Sequence, residues 1–140
     1  MIYLFSAYVS LPSMMLNATF RYKTELQKLE LKIRKINEVY IIDVNGDMDL
    51  YNSYKLKELV TKMVNKKIQN FVVNLQNVEY IDSSGIGALI FIYSTMKKLG
   101  INFLIANVHG PVKKVIELTK LMSYFPIVSK VGDAVKQLGA

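Results

Sequence analysis

Polar and apolar residues alternate with a period of two over residues 28–34, where each apolar side chain is flanked by charged ones. This period is typical of a β-strand with one face toward the core and the other toward water. A short polar stretch at 35–38 separates it from an apolar stretch over 39–44 that only Asp43 interrupts. The run predicts a second strand, buried on both faces. The connection is short enough to predict an antiparallel hairpin.

The period changes from strand-like to helical after this hairpin. Apolar residues recur at i, i+3, i+4 and i+7 from Leu56 to Met63, with lysines between them. This spacing predicts an amphipathic helix with its apolar stripe toward the core. Asn52 or Ser53 is the expected N-cap, because both residue types cap helices well.

Three more helices are predicted further along the chain. One follows the turn Asp82–Gly87 and ends at Gly100, a residue type that favours helix C-termini. Its apolar residues, which include Phe91, lie on nearly all sides, so we expect this helix to be central. Another begins at Gly110 with proline in its first turn. The last is expected near residues 133–138.

Short apolar strands are predicted between these helices, centred on 71–73 and 103–105, with a further short segment at 127–128. Strand–helix–strand repeats require a largely parallel sheet with right-handed crossovers, and the opening hairpin adds an antiparallel edge. The sequence therefore predicts an α/β fold: a single small domain with a mixed, mostly parallel sheet of four to five strands and about four helices. One domain is also what 140 residues favour.

The first 20 residues carry no charge. We interpret residues 1–25 as an apolar N-terminal extension and 26–140 as the domain. Serine and proline interrupt the apolar stretch, and no basic region precedes it, so neither a membrane span nor a signal peptide is favoured. The extension is expected to be poorly ordered, to form an extra strand, or to reflect a start at Met14 or Met15.

The chain holds 18 Lys+Arg against 11 Asp+Glu, a formal net charge of +7. The basic residues are scattered, whereas a nucleic-acid site usually shows a clustered stripe. We therefore expect solvated lysines and no nucleic-acid partner. The absence of cysteine excludes disulfides, thiol catalysis and Cys-ligated metals. His109 is the only histidine, so a His-rich metal site is excluded as well.

The candidate chemistry lies in the turn Asp82–Gly87, where two serines and two glycines stand at the start of a helix. Unpaired N–H groups at such a start favour a phosphate. The turn lacks the lysine of a P-loop, the third glycine of a dinucleotide fingerprint and the G-x-S-x-G elbow of hydrolases. We therefore expect no enzymatic activity. Plain helix capping by Asp82 and Ser83 is the alternative interpretation.

Two motifs together resemble a known family. The segment Asn74–Gly87, NLQNVEYIDSSGIG, resembles the signature of STAS domains, and specifically that of the bacterial anti-sigma factor antagonists. Upstream, VNGDMD at Val44–Asp49 is similar to the G-E-L-D or G-D-I-D element of that family. The resemblance covers Leu26 to Leu138 and implies a small α/β domain with a mixed sheet.

The resemblance also implies a mechanism. Ser83 would be phosphorylated by a partner that is both an anti-sigma factor and a serine kinase, with Ser84 the less favoured acceptor. Unphosphorylated protein would bind this partner in the cytoplasm and release a sigma factor, and a metal-dependent phosphatase of the PP2C type would reverse the switch. The chain would need no cofactor or metal of its own, because the kinase supplies ATP and magnesium. The partner-binding residues would be Asp47, Asp49, Asp82, Ser84, Gly85, Ile86 and Gly87.

Similar domains imply a second class of role. They serve as scaffold or accessory subunits in transport and stress-signalling complexes. A lipid-transport accessory role would give the apolar N-terminal extension a purpose. Capture of a histidine-kinase-like ATPase would favour the antagonist, whereas capture of transporter subunits would favour the alternative.

Overall fold

The computed structural model describes residues 19–23 and 28–139. The six strands are β1 (Thr19–Lys23), β2 (Lys28–Ile36), β3 (Val39–Gly46), β4 (Asn70–Asn77), β5 (Asn102–Ala106) and β6 (Ile127–Val128). The helices are α1 (Ser53–Val64), α2 (Ser83–Leu99), α3 (Gly110–Leu118) and α4 (Val131–Gly139).

The strands form one sheet in which sequence order is also spatial order, from β1 to β6. The pairs β1–β2 and β2–β3 are antiparallel, and the remaining pairs are parallel. The predicted α/β fold with a mixed sheet is therefore confirmed. The sheet has one strand more than the predicted four to five because β1, within the segment interpreted as an extension, pairs with β2. Residues 1–18 lie outside the described residues.

Apolar side chains fill both faces of the sheet. Helices α1, α2 and α3 cover one face and enclose the main core, which includes the predicted stripe from Leu56 to Met63. Helix α4 covers part of the other face, where Ala134 and Val135 pack on β3, β4 and β5. Because the connections after β3, β4 and β5 leave from the same edge of the sheet, the loops there lie close together.

Helix α2 is not the central helix that its composition predicts. Leu89 and Ile92 are fully buried, but the side chain of Phe91 is 46% exposed. The helix packs on the sheet and on α1 with one side only, so its remaining apolar residues reach the surface. Within the described ranges, no helix is both long and apolar enough to cross a membrane.

The hairpin between β2 and β3 turns through Asn37 and Glu38, whose φ angles are 47° and 66°. Ile36 and Val39 form the closing pair, so the loop has two residues, both in the left-handed region. This is the geometry of a type I′ turn, which favours Asn-Gly. Glutamate is strained in the second position, because its Cβ crowds the backbone there.

We expect Glu38→Gly to raise the free energy of unfolding by about 0.5–1 kcal/mol, because glycine relieves this strain at some entropic cost. The lost ion pair with Lys35, at 3.4 Å, is exposed and contributes little. Urea denaturation measures the change. Glu38→Ala is the control, since it removes the carboxylate and keeps the Cβ. If both variants have the same stability, turn strain is not the cause.

Candidate functional site

The two sequence motifs are joined by backbone hydrogen bonds beyond the ends of β3 and β4. The Met48 N–H donates to the carbonyl oxygen of Tyr80 at 2.9 Å, and the Asp82 N–H donates to that of Met48 at 3.1 Å. These bonds form a parallel bridge between Met48 and Ile81. The loop that follows β3 and the start of α2 are thereby held side by side.

Asp82 caps helix α2 and also binds the neighbouring loop. Its Oδ1 accepts from the N–H groups of Ser84 at 2.8 Å and Gly85 at 3.2 Å. Its Oδ2 accepts from the N–H of Leu50 at 3.2 Å. The capping interpretation is therefore correct for Asp82, and two of the N–H groups at this helix start already have a carboxylate partner.

Asp49 is held in place by its own loop and is only 4% exposed. Its Oδ1 accepts from the N–H of Tyr51 at 2.9 Å, and its carbonyl oxygen accepts from the N–H of Ser53 at 3.0 Å. Its Oδ2 is buried and has no hydrogen-bond partner among the described residues. A buried carboxylate oxygen without a donor costs free energy, so the loop holds Asp49 at some cost in stability.

The N-cap of α1 is one of the two predicted residues, but its side chain does not make the expected contact. Asn52 is the N-cap residue, but its side chain makes no capping hydrogen bond to the helix. Its Oδ1 instead accepts from the N–H of Asp49 at 3.0 Å. The amide is thus used to fix the loop that carries Asp49.

Three carboxylates share one open cleft of about 360 Å³, which we name the acidic cleft. The side chains of Tyr51 and Tyr80 that flank it are about half exposed. A guanidinium or ammonium group fits the acidic cleft, because carboxylates and aromatic faces both attract cations. No group of His, Asp or Glu among the described residues is arranged to hold a metal ion. The cleft is lined by Asp47, Asp49, Leu50, Tyr51, Tyr80 and Asp82.

The two serines differ in accessibility. Ser83, the first residue of α2, is exposed, whereas Ser84 is partly buried and its N–H is bound by Asp82. Ser83 directly follows Asp82, which lines the acidic cleft. The more exposed serine is therefore the one that the family resemblance favours as phosphate acceptor.

The glycines and the isoleucine of the motif lie in different surroundings. A Cβ on Gly85 would lie 2.8 Å from the carbonyl oxygen of Met48 and 2.5 Å from Cγ1 of Ile81. Ile86 is 6% exposed. Gly85 and Ile86 therefore lie buried beneath the loops of the site. Gly87 is exposed, and a Cβ there would meet nothing within 4 Å.

The apolar residues of the acidic cleft are not among the predicted site residues. Leu50 is 69% exposed, Tyr51 52% and Tyr80 49%. The sequence does hold a signal for Leu50 and Tyr51, since they follow the acidic motif directly and precede the apolar stripe of α1. Exposed aromatic residues beside charged groups are typical of protein–protein contacts.

Comparisons with known proteins identify the family of the chain. The sequence model of the STAS domain family matches residues 30–134. The anti-sigma-B factor antagonist of Staphylococcus aureus is 30% identical over 96 residues, which cover 66% of this chain and 86% of that protein. The anti-sigma F factor antagonist of Paenibacillus polymyxa is 22% identical over 111 residues, 79% of this chain and 95% of that protein.

A solved structure shows the same fold. The anti-sigma factor antagonist from Mycobacterium paratuberculosis aligns with a TM-score of 0.69 at 21% identity. The alignment covers 94% of this chain and 99% of that one.

Proposed function

The chain belongs to the STAS-domain family of anti-sigma factor antagonists, and we propose that it acts by partner switching in the cytoplasm. In its unphosphorylated form it binds an anti-sigma factor that is also a serine kinase, and a sigma factor is released. Phosphorylation of Ser83 ends the binding. The observation that carries this proposal is the exposed Ser83 directly after Asp82, which lines a cleft with three carboxylates.

The acidic cleft is the proposed contact for a basic side chain of the kinase. No lysine or arginine is among its lining residues, so its carboxylates attract a cation from outside. Asp47 and Asp82 are partly exposed, so their carboxylates are the ones that a guanidinium of the kinase reaches. Charge-assisted hydrogen bonds of this kind are among the stronger polar contacts in proteins.

Ser83 is the proposed phosphate acceptor. Its hydroxyl oxygen attacks the γ-phosphorus of ATP bound to the kinase, ADP leaves, and the hydroxyl proton passes to a base of the kinase. Magnesium and ATP belong to the kinase. A phosphatase of the PP2C type then hydrolyses the phosphoester, which returns the serine and releases inorganic phosphate.

Mapping of the phosphate tests this function. The purified chain is incubated with Mg-ATP and the histidine-kinase-like anti-sigma factor of its own genome, and tandem mass spectrometry locates the modification. We expect one phosphate on Ser83, unchanged in Ser84→Ala and absent in Ser83→Ala. A phosphate on Ser84, or phosphorylation that persists in Ser83→Ala, would show that the acceptor is misassigned. A kinase that neither binds nor phosphorylates the chain would refute the function.

A further inference from the structure

A second surface lies between α1 and α2, next to the acidic cleft. We name it the inter-helix groove, and its volume is about 350 Å³. The side chains of Tyr54 and Phe91 are 48% and 46% exposed, so the groove offers two aromatic rings to solvent. The groove is lined by Tyr54, Lys57, Glu58, Thr61, Lys62 and Phe91.

Lysine side chains lie over both rings. The Nζ of Lys57 is 5.1 Å from the centroid of the Phe91 ring, and the Nζ of Lys55 is 4.6 Å from that of Tyr54. Such contacts keep an ammonium group against an apolar surface and contribute modestly where both partners are exposed. The groove therefore combines an apolar floor with positive charge above it.

The inter-helix groove and the acidic cleft have opposite charges. Two lysines and one glutamate line the groove, whereas the charged residues of the cleft are three aspartates. The two surfaces are also continuous along the chain, because Tyr51 lines the cleft and Tyr54 lines the groove three residues later. Both tyrosines are about half exposed. The two surfaces are thus neighbours along the chain and carry opposite charge.

We propose that the inter-helix groove is a second docking site for the same kinase, and that it receives an apolar side chain of the kinase flanked by acidic residues. This inference rests on the proposed function. The apolar side chain covers Phe91, and an acidic neighbour pairs with Lys57. Because the cleft takes a basic group and the groove an acidic segment, the two contacts fit in one orientation only. Complementary charge of this kind contributes to partner choice.

Binding of the purified kinase to variants of the groove tests the inference. We expect Phe91→Ala to weaken binding about tenfold or more, as for a central aromatic contact. Lys57→Glu should also weaken it, and the loss should shrink at high salt because the lost attraction is electrostatic. Leu118→Ala is the matched control, since Leu118 is 74% exposed but lies on α3. It should change the dissociation constant less than twofold.

Several outcomes would overturn the inference. If Phe91→Ala binds as tightly as the wild type while Ser83→Asp abolishes binding, the groove is not a docking site and the proposed function stands. If sedimentation shows that Phe91→Ala dissociates a dimer, a second copy of this chain occupies the groove instead. If the wild type does not bind the kinase at all, the proposed function fails and the inference fails with it.

Discussion

Gly85→Ala is expected to lower the free energy of unfolding by about 3 kcal/mol, the upper part of the range for overpacking a well-packed core. The new methyl group would lie 2.8 Å from the carbonyl oxygen of Met48 and 3.0 Å from its Cβ. That carbonyl cannot move freely, because it accepts from the N–H of Asp82. The clash is therefore relieved only by separating α2 from the loop after β3, and urea denaturation measures the loss.

Gly87→Ala is the matched control, two residues further along the same helix. Its Cβ would meet nothing within 4 Å. Alanine is favoured over glycine in a helix by about 0.8–1 kcal/mol, so this variant should be slightly more stable than the wild type. If the two variants lose the same stability, the close approach of Met48 is not the reason for glycine at position 85.

Most of the fold could be predicted because burial imposes a period on the sequence. The alternation in β2 and the stripe from Leu56 to Met63 each correspond to one buried face. Strand β1 also alternates, since Phe20 and Tyr22 stand between polar residues, but five residues that follow an uncharged apolar stretch are too short a signal to separate a strand from the extension. The exposure of Phe91 was also unpredictable, because composition does not reveal how many neighbours a helix has.

The acidic cleft was predictable in part. Asp49 and Asp82 follow neighbouring parallel strands, and the carboxyl ends of such strands lie at the same edge of a sheet. The detailed contacts were not predictable. Whether Asn52 binds α1 or Asp49, and which oxygen of Asp49 lacks a donor, depends on loop geometry. The sequence likewise does not distinguish the buried Gly85 from the exposed Gly87.

Phosphorylation of Ser83 is expected to weaken binding of the kinase about 100-fold, which corresponds to about 2.8 kcal/mol. Phosphoserine carries about −1.5 to −2 charges. Asp82 already accepts from the N–H groups of Ser84 and Gly85, so the start of α2 offers the phosphate little compensation. The charged residues of the adjacent acidic cleft are all aspartates, which adds repulsion.

Binding to the kinase raises the electrostatic cost of the phosphate on Ser83. Ser83 must approach the γ-phosphate of ATP to be phosphorylated, so the new phosphoserine lies beside the phosphates of ADP when transfer is complete. Two unit charges about 4 Å apart repel by about 4 kcal/mol at an effective dielectric constant of about 20, and screening by salt reduces this value. A net loss of about 2–3 kcal/mol corresponds to half to three-quarters of the unscreened repulsion.

Calorimetric titration of the kinase with phosphorylated and unphosphorylated protein measures the effect. Ser83→Ala should bind equally well with and without ATP, whereas Ser83→Asp should bind weakly. Ser123→Asp is the control, because it adds the same charge as Ser83→Asp at another exposed serine. The neighbouring Tyr124 packs on Tyr93 and Lys97, which lie in the C-terminal half of α2. Equal affinity of the two phosphorylation states, or an equal loss in Ser123→Asp, would mean that local charge at Ser83 does not control binding.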